Sequence, residues 1–277
     1  MRILLAFAIL LLAPLAAIAD DHLEKMAAEH QHDNTSPSPA AKVEPAGPVE
    51  ESRVAYATLD GKPITGFLAR PKGAPAAIPG VIVIHEWWGL NSNVESMARQ
   101  LAGEGYAALA VDLYEGQSAD QPEAARALMQ GTLERGPRLV ENLRQAASFL
   151  EKAGSARIGV VGWCFGGGWS LQTALKVPDK IQATVMYYGR VVTDPKDLAP
   201  LASPLLGLFG ALDRGISADS VKQFEAALKT AGKDAEIHLY EGANHAFANP
   251  SGGNYNPAAA EDAWKKTLAF FARHLKS

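Results

Sequence analysis

One cysteine occurs in this chain, Cys164, within Gly162-Trp163-Cys164-Phe165-Gly166-Gly167-Gly168 and directly after the apolar run Ile158-Gly159-Val160-Val161. Small residues on both sides of a reactive group at the end of an apolar run mark a sharp strand-to-helix turn, where backbone must pass close to backbone. The group at its apex is a thiol, which attacks carbonyl carbon only as the thiolate. Two more polar residues stand just past apolar runs: Asp213 after residues 204–209, and His245 after residues 235–240. An imidazole beside the sulfur takes its proton, and a carboxylate on the other ring nitrogen fixes the tautomer. Taken singly, each has a plainer role: a buried apolar cysteine, a surface histidine, or an aspartate capping a helix that starts near Ser217. Taken together, in the order nucleophile, acid, histidine, they predict covalent hydrolysis.

That order is the one found in α/β-hydrolases. In such a fold the loop after the first buried strand supplies an amide to the oxyanion hole, and the residue after the nucleophile supplies the other. Here the loop is His85-Glu86-Trp87-Trp88-Gly89, so the amides of Trp87 and Phe165 are the expected donors. Glu86 is expected close to Cys164, as a second proton acceptor or as an ion-pair partner. Trp88, Tyr114 and Trp163 are expected to line an apolar substrate pocket, although aromatic residues at strand ends also serve as core.

The elements that must position these groups follow from periodicity. Residues 53–59 and 64–70 flank Asp60-Gly61, a hairpin signal. Val81-Ile82-Val83-Ile84 is a continuous β-branched run of the kind buried on both faces of a sheet. Residues 106–111, 158–161, 183–188, 204–209 and 235–240 read as further strands. Between them, Leu139, Leu143, Ala146, Ala147 and Leu150, then Val221, Phe224 and Leu228, then Trp264, Leu268, Phe271 and Leu275 recur at helical spacing. The alternation predicts an α/β-hydrolase fold: a mostly parallel central sheet, helices on both faces, and an antiparallel N-terminal hairpin.

The chain has 277 residues, 48% of them hydrophobic, and fits one catalytic domain, expected over residues 53–277. Its start differs. Met1-Arg2 precedes an apolar stretch ending at Leu15 and then Ala17-Ile18-Ala19, so residues 1–19 read as a signal peptide, too short in its apolar part for the roughly 20 residues of a membrane anchor. A periplasmic or secreted protein is expected, with no membrane partner after cleavage. Residues 20–52 are rich in Pro, Ala, Ser and acids, which predicts a flexible tether. The acids there account for the formal charge of −4 and leave a near-neutral domain, so nothing suggests nucleic acid and no such partner is expected. His22, His30 and His32 match no rigid metal-ligand spacing and are read as part of a solvated tail. A monomer is expected.

With Gly80 to Asn91, Asp112-Leu113-Tyr114, the cysteine elbow, Gly210 to Asp213 and Tyr240 to Phe247, the chain resembles the dienelactone hydrolase (carboxymethylenebutenolidase) family. The resemblance implies a Cys164, His245, Asp213 triad assisted by Glu86. It also implies hydrolysis of a lactone or small ester through an acyl-thioenzyme, with no metal or organic cofactor. Members that cleave dienelactone carry two carboxylate-binding arginines where this chain has Gly116 and Asn249, and a serine where it has Ala246. Without a guanidinium fork, neutral substrates are expected to be preferred. Two other classes fit the same residues: a catalytically silent ligand-binding module and a redox-sensing thiol protein.

Overall fold

The computed structural model describes residues 28–30, 33, 38 and 43–276. The expected signal peptide at 1–19 and the remainder of 20–42 lie outside the described residues. Strands β1 (Val49–Leu59) and β2 (Lys62–Pro71) pair as an antiparallel hairpin. Its turn is Asp60-Gly61, with φ of 49° and 75°, the left-handed pair that a two-residue hairpin loop demands. The hairpin begins four residues before the expected Arg53, because Val49 to Ser52 pair with Leu68 to Pro71. Strand pairing uses backbone groups alone, so the polar Glu50, Glu51 and Ser52 extend an edge strand that no apolar alternation announces.

Strands β3 (Gly80–Ile84), β4 (Ala107–Val111), β5 (Ile158–Trp163), β6 (Ala183–Tyr187) and β7 (Leu205–Gly210) are buried along their whole length, and β8 (Ala235–Tyr240) closes the far edge half-exposed. The resulting 8-stranded sheet runs β1-β2-β4-β3-β5-β6-β7-β8, parallel from β4 onward. Helices α1 (Ser92–Gly103), α2 (Pro122–Leu133), α3 (Gly136–Lys152), α4 (Phe165–Lys176), α5 (Pro195–Leu198), α6 (Ala218–Thr230) and α7 (Pro257–Leu275) fill the connections and cover both faces. The α/β-hydrolase fold is therefore present as expected.

The stripes on α3 and α6 are buried residue for residue. On α7 the buried stripe is Ala263, Thr267, Phe270, Phe271 and Leu275, turned slightly from the expected one, so Trp264 and Leu268 pack at its margin. None of the described helices is long and apolar enough to cross a membrane. From β3 the chain steps outward to β4 and then returns to β5 on the other side of β3. Such a reversal leaves a crevice at the carboxyl ends of β3 and β5. Glu86 follows β3 and Cys164 follows β5.

Candidate active site

β5 ends at Trp163 and α4 starts at Phe165, so one residue makes the whole turn. Cys164 adopts φ 55° and ψ −116°, a conformation that costs of order 1–3 kcal/mol for a residue with a side chain. Close packing holds it there. A Cβ on Gly166 would sit 2.4 Å from the carbonyl oxygen of Ile84, and one on Gly167 would sit 2.3 Å from that of Tyr187. The first turn of α4 thus rests directly on the ends of β3 and β6. The amide of Cys164 donates to the Tyr187 carbonyl at 3.1 Å, which leaves the thiol at the mouth of the sheet. Phe165 opens α4, so its N–H is one of the first-turn donors that a helix cannot satisfy internally.

The loops after β7 and β8 clasp each other, with the Leu212 amide donating to the Ala243 carbonyl at 2.9 Å. This brings Asp213 under His245. Asp213 Oδ2 lies 2.6 Å from His245 Nδ1, while its Oδ1 accepts from the amides of Gly215 (2.8 Å) and Ile216 (2.7 Å). The capping role belongs to Ser217, whose side chain accepts from the Ser220 amide at the start of α6. Asp213 therefore serves the imidazole. With Nδ1 engaged, His245 turns Nε2 toward the sulfur, and the two lie within 4.8 Å of each other.

Glu86 is oriented by the ring before it. The Nδ1 of His85 donates to the Glu86 carbonyl at 2.5 Å, and its Nε2 accepts from the Leu113 amide at 3.2 Å. The Glu86 carboxyl accepts from Asn249 Nδ2 at 2.9 Å and from the Tyr188 hydroxyl at 3.4 Å. Asn249, the position of an arginine in dienelactone-cleaving members, holds the glutamate in place. Trp87 follows Glu86 in a turn closed by the Gly89 amide on the Glu86 carbonyl, 3.3 Å.

The site contains one group that the sequence reading placed elsewhere. His30 is fully buried, its Nε2 3.5 Å from the Cys164 sulfur and its Nδ1 2.6 Å from Asp33 Oδ2. Its ring lies tilted by 32° against Trp87, centroids 4.9 Å apart, and meets the ring of His245 edge-on at 5.2 Å. The solvated-tail reading fails for the described residues of this stretch because the loop after His245 grips them. Asp33 accepts from the Gly253 amide at 3.2 Å, the Glu29 carbonyl accepts from Asn254 Nδ2 at 3.1 Å, and Ser38 donates its hydroxyl to the Pro250 carbonyl at 2.6 Å. A polar stretch without apolar period gives no sign of this. The one local signal is His30 and Asp33, three residues apart and paired.

The electrostatics follow from burial against charge. Burial favours the neutral Cys164 thiol, yet His30 and His245 outweigh it and lower its pKa to about 6. For His245, burial opposes the charged ring, but the Asp213 carboxylate and the Cys164 sulfur hold its pKa well above the imidazole range. His30 follows the same balance, with Cys164 and Asp33 raising it to about 9 against burial. Burial pushes the Glu86 carboxyl up to about 8. Both shifts favour the thiolate of Cys164 and the imidazolium of His245.

A cleft of about 560 Å³ opens at the nucleophile. Cys164, Phe165, Trp169, Tyr188, Val191 and Ile216 give it apolar walls, and Arg190 with Asp194 and Asp197 stands on its polar side. Trp88 and Tyr114 are packed into the core at 2% and 1% exposure and do not line it, while Trp163 faces a separate groove beside Glu86 and Asn249. Strand-end aromatics here build the floor under the site rather than its walls.

The dienelactone hydrolase family model matches residues 64–275. Protein usf of Aquifex pyrophilus is 35% identical over 224 residues, covering 78% of this chain and 96% of that one. A Saccharolobus solfataricus chain bearing the name carboxymethylenebutenolidase is 34% identical over 251 residues, covering 77% and 95%. Among solved structures, a Klebsiella pneumoniae chain assigned to the dienelactone hydrolases superposes with a TM-score of 0.75 at 29% identity, covering 82% of this chain and 100% of that one. By sequence, by fold and by the cysteine and histidines gathered at the end of β5, this chain belongs to the dienelactone hydrolase family.

Proposed function

We propose that the chain is an exported hydrolase of neutral lactones and small esters that works as a monomer through an acyl-thioenzyme. The observation that carries the chemistry is the line of groups from Asp213 through His245 to Cys164, with 2.6 Å between the carboxylate and Nδ1. The Cys164 thiolate attacks the carbonyl carbon, and the negative charge that forms on oxygen is received by the amides of Trp87 and Phe165. Collapse expels the alkoxide, which takes the proton of the His245 imidazolium. The neutral ring then removes a proton from water, the hydroxide attacks the thioester, and the carboxylic acid leaves as the thiolate is restored. Glu86 stays within the cluster as the carboxyl that Asn249 and Tyr188 hold.

Preference for neutral substrates is supported by Gly116 and Asn249 at the family's arginine positions, and by a cleft whose one arginine, Arg190, shares its polar side with Asp194 and Asp197. Export is supported by the apolar stretch to Leu15 followed by Ala17-Ile18-Ala19. Purified protein is expected to hydrolyse p-nitrophenyl acetate and unsubstituted lactones faster than carboxylate-bearing lactones, and Cys164→Ala to abolish both. Turnover unchanged by that substitution would overturn the reading. N-terminal sequencing of the exported form is expected to begin at Asp20.

A further inference from the structure

The Cys164 sulfur faces a second imidazole that the hydrolytic cycle does not require. Both rings are built alike. His245 Nδ1 is held by Asp213 Oδ2 at 2.6 Å and His30 Nδ1 by Asp33 Oδ2 at 2.6 Å, so each carboxylate turns an Nε2 toward the same sulfur. An imidazole fixed at Nδ1 by a carboxylate with Nε2 facing inward is the arrangement that orients histidine ligands on a metal. The Nε2 of His245 is buried, and the sulfur is the group it interacts with. The sulfur and both Nε2 atoms lie within 4.8 Å of one another, and all three side chains are buried.

We propose that His30, Cys164 and His245 form a site for a thiophilic closed-shell cation, Zn2+ or Cu+, with Asp33 and Asp213 as the carboxylates behind the ligands. One thiolate and two imidazoles suit both ions. The spacing supports it: metal–sulfur and metal–nitrogen bonds at a tetrahedral centre put sulfur about 3.6 Å from nitrogen, and Cys164 Sγ lies 3.5 Å from His30 Nε2. The N-terminal segment completes the site, since His30 and Asp33 both come from it and the loop carrying Asn249, Gly253 and Asn254 grips it. A cation there binds the nucleophile's lone pair, so the ion-loaded chain is hydrolytically silent. The inference does not rest on the hydrolytic reading, because binding is measured without substrate.

The test is metal binding by the full chain after chelator treatment. Zn2+ affinity is read by competition with a chromophoric chelator, Cu+ affinity by anaerobic competition with a Cu+-specific chelator, and ligand identity with Co2+ as a spectroscopic stand-in for Zn2+. One ion per chain is expected, with a thiolate-to-cobalt charge-transfer band that Cys164→Ser removes. Asp33→Asn is expected to weaken binding about 10- to 100-fold, and His30→Ala by at least as much, with both variants unchanged in circular dichroism. Zn2+ but not Cu+ binding, or the reverse, identifies the ion. An absent one-to-one complex with either ion, or equal affinity in wild type, Asp33→Asn and His30→Ala, would overturn the proposal. Esterase activity of the chelator-treated chain is read separately and reports only on the hydrolase.

Discussion

Cys164 is buried, which favours the protonated thiol, and faces two imidazoles, which favour the thiolate. The imidazoles win, placing its pKa at about 6. Because the pKa is lowered, the thiolate persists at all pH above that value and is lost only on acidification through it. Iodoacetamide trapping of the chelator-treated protein, followed by mass spectrometry, is expected to give a midpoint near pH 6, against about 8.5 for a free cysteine. His245→Ala removes one of the opposing charges and should move that midpoint upward; a midpoint left in place would show that His245 does not act on the sulfur. Asp213→Asn leaves the ring free to take the wrong tautomer, and kcat for p-nitrophenyl acetate is expected to fall about 10²- to 10⁴-fold. This much was legible at the residue level, because Cys164, Asp213 and His245 each follow a strand in a set order. The alternative role of Asp213 as a helix cap was settled only by the structure, where Ser217 takes that role.

At the level of elements, the turn between β5 and α4 sets where the sulfur points, and two glycines let that turn form. Gly167→Ala drives a methyl toward the Tyr187 carbonyl at 2.3 Å, a clash with backbone that no rotamer relieves. Urea unfolding is expected to show a loss of about 1–3 kcal/mol, with activity falling further than the folded fraction as the elbow shifts. Gly131→Ala in α2 is the opposing case. Nothing lies within 4 Å of its Cβ position, so the gain in helix propensity should stabilise by about 0.5–1 kcal/mol. A destabilised Gly131→Ala, or a neutral Gly167→Ala, would show that the close approaches do not govern these positions. The glycine spacing made the elbow readable, and the β-branched runs made the buried strands readable. The order β4-β3-β5 was not, because every inner strand is apolar on both faces and local pattern does not distinguish its neighbours.

Across the whole molecule, residues far apart in the chain meet over one sulfur atom. His30 and Cys164 are 134 positions apart, and Asn254 is 225 positions from the Glu29 carbonyl it holds. Contacts of that range have no period or motif, which is why the polar N-terminal stretch read as a tether while His30 and Asp33 within it are packed against the site. The core does not need them: it begins at Tyr56 in β1, and the strand itself starts at Val49. A chain starting at Val43 should therefore keep its far-ultraviolet circular dichroism. What it loses is cover for Cys164, which is 2% exposed with His30 in place. A segment seated by about 1.4 kcal/mol or more is open no more than about a tenth of the time, and the hydrogen bonds on Glu29, Asp33 and Ser38 are what hold it against its ordering entropy. Losing His30 also raises the thiol's pKa, so each iodoacetamide rate is divided by the thiolate fraction from that chain's own pH profile, and the thiolate of the shortened chain is thus expected to be alkylated at least about tenfold faster. Equal rates would mean that the segment spends most of its time away from the sulfur, and the buried His30 would then describe a minor population.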